Sequence, residues 1–205
     1  MHRLPVYILA GGRSSRFGED KARALWRGKP LLSRVAGQTE TVASRITVVA
    51  QRADAYADLG LCGIADVHPG CGPLGGLQAA LRDCAPEPWL LLLSCDMVPL
   101  PPDWLQRLLA GRRDGVGTVY FQGRRPEPFP ALFHYSVAPV VDALIEAGRL
   151  AMVALFFSDS VCGHPMPLPE DWRACRNINR PADLDHEDKV FSSTQAAATI
   201  RKQFL

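Results

Sequence analysis

Apolar segments that predict strands recur along the first half of the chain. "VYILA" (Val6–Ala10) and "ITVVA" (Ile46–Ala50) are rich in β-branched and aliphatic residues, and "GIAD" (Gly63–Asp66) is a weaker segment of the same kind. "WLLLLSCD" (Trp89–Asp96) begins with an unbroken apolar run, which is typical of a central parallel strand buried on both faces.

Segments with helical spacing lie between these strands. Apolar residues recur after Pro30, which suits a first helical turn, and they predict a helix over Pro30–Ala43. A glycine-rich stretch opens a second helix over Gly72–Ala85, and a third is expected over Pro102–Ala110. A strand followed by a helix, repeated along the chain, predicts an α/β fold with a parallel sheet and crossover helices.

The second half of the chain is less regular. Strands are predicted at "GTVYF" (Gly117–Phe121) and "FPALFHY" (Phe129–Tyr135), and helices at Val137–Ala147 and Arg149–Phe157. This half therefore adds strands that need not follow the alternation of the first half.

Composition limits the class of protein. The chain has 205 residues, of which 47% are hydrophobic and 21% charged, as in an ordinary soluble globule with one core. The net charge of +2 favours neither nucleic acid nor a membrane surface as a partner. We expect one domain over residues 1–187, with halves at about 1–110 and 111–187, and a C-terminal tail at 188–205.

The N-terminus "MHRLPVYILAGG" does not fit a secretion signal, because its apolar run is short and charged residues follow at once. The apolar run Trp89–Leu93 is far shorter than the roughly 20 residues that span a bilayer. A cytoplasmic protein is therefore expected. None of the 6 cysteines forms a C-x-x-C pair, so neither a zinc site nor a redox site is predicted.

The segment "LAGGRSSRFGEDK" (Leu9–Lys21) combines glycine with positive charge at the end of the first strand. Ligands of open parallel sheets bind beyond the carboxyl ends of the strands. Gly11 and Gly12 let backbone N–H groups approach a ligand closely, and Arg13, Arg16 and Lys21 add positive charge. The segment predicts a cradle for a di- or triphosphate, although it matches neither G-x-x-x-x-G-K-[ST] nor G-x-G-x-x-G. A surface turn with solvated charges is the alternative.

Two carboxylates follow other predicted strands. Asp96 is expected at the same sheet edge as the cradle, where an ionised carboxylate is costly unless it is paired or bound to a metal. Mg²⁺ usually takes one or two carboxylates together with phosphate oxygens, so Asp96 is a candidate ligand. Asp66 precedes the glycine-rich entry of a helix, and we expect it to accept hydrogen bonds from a base or sugar. The alternatives are a helix N-cap or a turn aspartate for Asp96, and a structural turn for Asp66.

A series of motifs, in this order, resembles the molybdenum cofactor guanylyltransferase family. The motifs are "LAGGRSSRFGEDK", "GKPLL", "GPLGGL", "SCDM", "EPFPAL" and "NINRPADL". The resemblance covers roughly Val6 to Leu184. It implies a Rossmann-like three-layer α/β fold of the nucleotide-diphospho-sugar transferase type, with a mostly parallel sheet. It also implies transfer of GMP from GTP to molybdopterin, with release of pyrophosphate and Mg²⁺ as the cofactor.

The resemblance also implies roles for single residues. Lys21, Arg16 and Asp96 would be catalytic, and Asp96 would hold the metal. The residues expected to bind the nucleotide are Leu9, Ala10, Gly11, Gly12, Lys21, Gln51, Asp66 and Gly75. Asn177 and Asn179 would bind the acceptor, so residues 111–187 would form the acceptor half and residues 1–110 the nucleotide half.

The implied chemistry needs no general base. The attacking group would be a phosphate monoester with a second pKa of about 6, which is mostly a dianion at neutral pH. Catalysis then consists of positioning and charge stabilisation. The implied partners are GTP and molybdopterin, with transient contact to molybdenum insertion proteins or molybdoenzymes, and with neither nucleic acid nor membrane.

Two departures from the family pattern bear on specificity. Gln51 stands where an asparagine often helps to read guanine, and Leu150 stands where the family often carries an arginine. They bear on base choice and on affinity for the acceptor.

Three other functions remain open. A cytidylyltransferase of the same superfamily usually reads "LAAG" where this chain reads "LAGG", and usually lacks "GPLGGL". A sugar-phosphate nucleotidyltransferase shares the opening motif but not the closing "NINRPADL". A non-catalytic paralogue that binds nucleotide or molybdopterin is supported by Leu150 alone, whereas Lys21 and Asp96 favour an enzyme.

Overall fold

The structure is a computed structural model, and it describes residues 3–11, 17–18, 20–68 and 70–185, with the backbone alone at 174, 176 and 185. The strands are β1 (Leu4–Leu9), β2 (Leu25–Trp26), β3 (Lys29–Pro30), β4 (Ala43–Ala50), β5 (Gly63–Ala65), β6 (Trp89–Ser94), β7 (Met97–Val98), β8 (Thr118–Gln122), β9 (Pro126–His134), β10 (Gly163–Pro167) and β11 (Arg176–Asn177). The helices are α1 (Leu31–Thr39), α2 (Gly72–Asp83), α3 (Pro102–Ala110), α4 (Ala138–Glu146), α5 (Val153–Phe156) and α6 (Ala182–Asp185). The predicted tail at 188–205 lies outside the described residues.

A seven-stranded sheet runs through the described chain in the order β10-β8-β9-β6-β1-β4-β5. Its neighbouring strands are parallel except at β9, which runs antiparallel to both β6 and β8. The predicted α/β fold with a mostly parallel sheet is confirmed. The sheet takes strands from both predicted halves of the chain, and the division into a nucleotide half and an acceptor half stays a prediction.

Side chains of successive strand residues enter two separate cores, one on each face of the sheet. On β1, Val6 and Ile8 pack with α1 and α3, whereas Tyr7 and Leu9 pack with α2 and α4. The central strand β6 likewise sends Leu91 to the first core and its neighbours to the second. This alternation produces the three layers, and it explains why β6 is apolar without interruption.

Most predicted elements end within a few residues of the observed ones, and α3 matches its prediction. The helix predicted over Pro30–Ala43 is wrong at its end, because it stops at Thr39 and Ala43 already begins β4. The Val42 carbonyl accepts a hydrogen bond from Leu4 N at 3.1 Å, and Leu4 pairs with Ala43. Pairing with β1 thus overrides the helical spacing of these residues.

The helix predicted over Arg149–Phe157 is also too long, since α5 spans only Val153–Phe156. Helix α4 ends at Glu146, and Gly148, two residues later, has a φ of 67° in the left-handed region. Arg149 N then donates to Leu144 O at 2.8 Å, as in a Schellman cap. This cap turns the chain away from the helix axis, and a new helix begins only after the chain has changed direction.

The sequence did not predict β10 or the two-residue strands β2, β3, β7 and β11. Strand β10 contains Pro165 and Pro167, and it tolerates them because it is an edge strand that pairs, among the described strands, with β8 alone. Strands β7 and β11 pair with each other antiparallel, as do β2 and β3. Segments of two residues are too short for any hydrophobic period to indicate them.

The parallel strands β1, β4, β5 and β6 end at one edge of the sheet. Leu9, the last residue of β1, is in register with Val49 and with Ser94. Ala50 is in register with Ala65. The segments that follow these strands therefore meet at the C-terminal ends of the parallel strands, as the sequence predicts. This side of the sheet is its functional edge. No helix among the described residues is both long and apolar enough to cross a bilayer.

Gly63→Ala should lower the free energy of unfolding, whereas Gly37→Ala should raise it. A Cβ at Gly63 would lie 2.5 Å from the backbone oxygen of Ala53, so the chain after β4 would have to move, and overpacking costs about 1–3 kcal/mol. A Cβ at Gly37, in the middle of α1, would meet nothing within 4 Å. Alanine is better than glycine there by about 0.5–1 kcal/mol. Urea denaturation measures both, and a shift of the same sign in the two variants would contradict the packing described at Gly63.

Candidate active site

Lys21 and Asp96, which are predicted from separate motifs, are in direct contact. Lys21 Nζ lies 2.5 Å from Asp96 Oδ2, although the residues are 75 positions apart in the chain. Their side chains are only 16% and 10% exposed, respectively. Charges attract more strongly in such a shielded place than in water. The ion pair therefore ties the end of the glycine-rich segment to the end of the central strand.

The backbone around Asp96 is held from two sides. Strand β6 ends at Ser94, so Asp96 lies in the turn between β6 and β7 rather than within the predicted strand. Cys95 N donates to Leu9 O at 3.1 Å, which ties the turn to β1. Ile178 N donates to Asp96 O at 3.1 Å, which ties the same turn to the segment that follows β11. The Asp96 carboxylate thus projects from a fixed peptide.

The two oxygens of Asp96 have different surroundings. Oδ2 accepts from Lys21, whereas Oδ1 is buried and has no hydrogen-bond partner among the described residues. A buried acceptor without a partner costs free energy, and a carboxylate oxygen is the hard ligand that Mg²⁺ prefers. Nowhere in residues 3–11, 17–18, 20–68 and 70–185 do three or more acidic, histidine or cysteine side chains form a metal cluster. The donor set fits a Mg²⁺ ion held by one carboxylate, with substrate phosphates and water as its other ligands.

A hydrogen-bonded anchor behind Lys21 sets its position. Asp20 caps the 3₁₀ helix that starts at Lys21, and its Oδ1 accepts from Ala22 N at 3.1 Å. The Tyr56 hydroxyl lies 3.1 Å from Asp20 Oδ1 and 3.1 Å from Ala10 O, and it donates its one proton to either oxygen. Burial and the Asp20 charge raise the pKa of Tyr56 well above its usual value, so this hydroxyl remains a donor at neutral pH.

Arg23 makes a second attachment for the same short helix. Its guanidinium pairs with both oxygens of Asp58 at 2.7 and 2.9 Å and donates to Ala55 O at 2.8 Å. Bidentate pairs of this kind fix geometry as well as adding attraction. The sequence did not indicate Asp20, Tyr56 or Arg23 as site residues. Only Asp20, as an N-cap type directly before Lys21, carried a local signal.

Asp66 and Gly75 are brought together at the start of α2. Asp66 N donates to Ala50 O at 2.7 Å, and its Oδ1 accepts from His68 N at 3.0 Å. A Cβ at Gly75 would lie 3.2 Å from Asp66 Oδ1 and 3.1 Å from Cys71 Cβ, so glycine allows the carboxylate to approach the helix. One oxygen of Asp66 therefore serves the local turn, as the structural alternative predicted. Its role in binding a base stays a prediction that depends on its place at the sheet edge.

Leu9 and Ala10 use their backbone groups within the fold. The Leu9 carbonyl accepts from Cys95 N, and Ala10 N donates to Val49 O at 3.0 Å. The Leu9 side chain packs in the second core. These residues therefore fix where the cradle begins, at Gly11, rather than directing these particular groups at a ligand.

Four other residues were named from the sequence, namely Gly12, Arg16, Gln51 and Leu150. Gly12 and Arg16 lie outside the described residues. Gln51 directly follows β4 at the functional edge and is exposed. The carbonyl of Leu150 lies 4.0 Å from where a Cβ of Gly72 would be, so the chain between α4 and α5 passes beside the start of α2.

Asn177 and Asn179 reach the site through the pairing of β7 with β11. Asn177 is in register with Met97, and the next residue, Ile178, is fully buried. Asn179 Oδ1 then lies 3.3 Å from Lys21 Nζ, and its Nδ2 donates to Asn177 O at 3.1 Å. The resemblance implied an acceptor-binding role for the two asparagines. The structure brings Asn179 into contact with Lys21.

Comparison with known proteins gives close matches of sequence and structure. Residues 6–160 match the family model described as "MobA-like NTP transferase domain". The chain is 37% identical to a probable molybdenum cofactor guanylyltransferase of Deinococcus radiodurans, over 88% of this chain and 92% of that protein. It is 33% identical to a molybdenum cofactor guanylyltransferase of Yersinia pestis, over 87% of this chain and 91% of that protein.

Two solved structures share the fold. The molybdopterin-guanine dinucleotide biosynthesis protein A from Archaeoglobus fulgidus aligns with a TM-score of 0.76 and 23% identity. The alignment covers 93% of this chain and 100% of that one. A CMP:2-keto-3-deoxy-manno-octonic acid synthetase complexed with CTP aligns with a TM-score of 0.73 and 13% identity, covering 94% of this chain and 99% of that one. These likenesses confirm the expected nucleotide-diphospho-sugar transferase type of fold.

Tyr56→Phe should weaken nucleotide binding through Lys21. The change removes the hydroxyl between Ala10 O and Asp20 Oδ1 while keeping the ring, and one hydrogen bond is worth about 1 kcal/mol, or roughly fivefold in affinity. Isothermal titration calorimetry with Mg²⁺ and GTP measures the loss. Tyr135→Phe is the matched control, because Tyr135 is exposed and lies at the opposite end of β9 from the functional edge. Equal affinities of the two variants would show that the Tyr56 hydroxyl does not position the cradle.

Proposed function

We propose that this chain, which belongs to the MobA-like NTP transferase family, transfers GMP from GTP to molybdopterin and releases pyrophosphate. The relatives named molybdenum cofactor guanylyltransferase support this choice of substrates. The observation that carries the proposal is the contact of Lys21 with both Asp96 and Asn179. It joins the candidate phosphate, metal and acceptor residues at one point.

The proposed reaction is a displacement at the α-phosphorus of GTP. A terminal phosphate oxygen of molybdopterin forms the new P–O bond, and the bond to the β-phosphate oxygen breaks to release pyrophosphate. The attacking phosphate is mostly a dianion at neutral pH, so no side chain has to remove a proton from it. The chain has to align the two phosphates and to offset the charge that develops between them.

Lys21 is suited to hold the triphosphate. Its ammonium has three N–H donors, and the described residues take two of them, at Asp96 Oδ2 and Asn179 Oδ1. The third donor is proposed to bind a phosphate oxygen of GTP. Because Asp96 and Asn179 fix the ammonium before the substrate arrives, little reorganisation is needed when charge develops.

Asp96 is proposed to hold Mg²⁺ through Oδ1, the buried oxygen that lacks a hydrogen-bond partner in the described residues. When bound there, Mg²⁺ would offset the negative charge on the triphosphate and on the leaving pyrophosphate. Asp96 keeps its other oxygen on Lys21, so the two positive groups would lie on opposite oxygens of a single carboxylate.

Asp66 and Gly75 are proposed to select the base. Guanine presents N–H donors on its N1 and N2 atoms, and an ionised carboxylate only accepts hydrogen bonds. A carboxylate next to Gly75, with no side chain between it and the start of α2, suits such an edge better than that of adenine. Gln51, exposed at the same edge, is a second candidate for contact with the base.

The proposed cellular setting follows from the substrates. GTP and the soluble precursor molybdopterin are expected in the cytoplasm. Transient contact with molybdenum insertion proteins or with molybdoenzymes would then deliver the product.

A cytidylyltransferase is the second candidate, because a synthetase complexed with CTP shares the fold over nearly the whole chain. Incubation with each of the four nucleoside triphosphates, Mg²⁺ and molybdopterin, followed by mass spectrometry of the product, separates the candidates. We expect only GMP to be attached. Attachment of CMP would replace guanine by cytosine in the proposal, and absence of any dinucleotide would favour the non-catalytic paralogue.

Lys21→Ala and Asp96→Asn should fail in different ways. Lys21→Ala removes one preorganised donor and should raise the activation free energy of transfer by about 3 kcal/mol. The rate should therefore fall roughly a hundredfold or more at every Mg²⁺ concentration. Asp96→Asn keeps the shape but removes the charge, so its rate should require much more Mg²⁺ and should recover in part at high Mg²⁺.

The measurement for these variants is a Mg²⁺ titration of the initial rate. Asp114→Asn is the matched control, because this exposed residue precedes β8, at the opposite edge of the sheet, and should leave the titration unchanged. If Asp96→Asn keeps the wild-type Mg²⁺ midpoint, Asp96 is not the metal ligand.

A further inference from the structure

Asp183 holds the turn that follows Asn179. Its Oδ2 accepts hydrogen bonds from Asn179 N and from Arg180 N, each at 2.8 Å. The turn is closed by Asp183 N, which donates to Arg180 O at 2.9 Å. Hydrogen bonds to an ionised carboxylate are roughly twice as strong as those between neutral groups. A single carboxylate oxygen thus sets the backbone direction directly after Asn179.

Asn179 is exposed, so the core does not hold its side chain in place. On one side of it, the buried Ile178 is tied to the carbonyl of Asp96. On the other side, Arg180 N donates to Asp183 Oδ2, which also accepts from Asn179 N itself. The Asn179 side chain then spans from Lys21 Nζ to the carbonyl of Asn177. Its contact with Lys21 therefore depends on the backbone being held on both sides.

The Asp183 carboxylate is ionised under the conditions in which the enzyme would work. The N–H groups of Asn179 and Arg180 lower the pKa of Asp183, and the nearby charges of Arg180 and Lys21 act in the same direction. A group with a lowered pKa contributes its hold above its ordinary pKa and loses it only as the pH falls through the lowered value. The hold on Asn179 is thus complete at neutral pH.

We infer that Asp183 is a positioning residue, which places Asn179 against Lys21 and so couples the acceptor side of the site to the phosphate-binding lysine. The identity of the acceptor rests on the proposed function, but the hold on Asn179 does not. Asp183 touches neither substrate in this role, and its effect passes through Asn179. Loss of Asp183 should therefore change the KM for the acceptor more than the KM for GTP.

Steady-state kinetics of the full chain test the coupling. We expect Asp183→Ala to raise the KM for molybdopterin about tenfold, since it removes two charge-assisted hydrogen bonds, and to change the KM for GTP less than about twofold. Asp183→Asn retains an oxygen that accepts both N–H groups and should recover most of the loss. In an Asn179→Ala background, Asp183→Ala should add less than about a twofold change, because residues that act as a unit are not additive.

Asp171→Ala is the matched control. Asp171 is another aspartate in the last part of the described chain; it is exposed, and its Oδ1 accepts from the buried Trp104 Nε1 at 2.8 Å. Its loss should lower the melting temperature and leave the KM for molybdopterin unchanged. If Asp171→Ala raises that KM as much as Asp183→Ala does, or if Asp183→Ala has its full effect in the Asn179→Ala background, the inference is overturned.

An NMR titration separates this inference from the proposed function. The amide protons of Asn179 and Arg180 should resonate downfield in the wild type, shift together as Asp183 is protonated at low pH, and lose both features in Asp183→Ala. Unchanged amide shifts in Asp183→Ala would overturn the hold on Asn179. If the wild type shows these shifts but attaches no nucleotide to molybdopterin, the proposed function fails and the positioning role stands.

Discussion

A buried carboxylate at the end of the central strand is the constraint on which the site depends. Asp96 is buried where β6 ends, beside the first core, and an ionised group there requires a positive partner. Lys21 supplies it, and Asp20, Tyr56 and Arg23 hold the short helix that carries this lysine. The glycine-rich segment is thereby anchored at its far end, whereas β1 anchors its beginning.

The same carboxylate gathers the end of the chain into the site. The pairing of β7 with β11 involves few residues, but it lies directly beside Asp96, whose carbonyl accepts from Ile178 N. Parallel strands bring their following loops to one edge, and this small antiparallel pair adds a segment that the large sheet does not contain. Groups from three distant parts of the sequence thus meet at Lys21, and backbone hydrogen bonds hold the segments that carry Asp96 and Asn179.

The large elements and the functional edge could be predicted because hydrophobic pattern and strand order determine them. The unbroken apolar run of β6 indicated a strand buried on both faces, and Asp66 and Asp96 were expected at one edge. The contact of Lys21 with Asp96 and Asn179 was not predicted, since it depends on register between segments far apart. Tyr56 carried no local signal at all. A tyrosine in a loop is expected simply to pack its ring, and its hydroxyl partners are known only from the structure.

The reversed strand β9 has a consequence for how such a site can change. Because it runs antiparallel between β6 and β8, those two strands point the same way, and the tight turn from β8 to β9 emerges at the functional edge. Surface turns accept insertions and substitutions far more readily than crossover helices do. A lineage with this sheet can therefore vary the surface beside the functional edge by changing one hairpin, while the strands that end there keep their register.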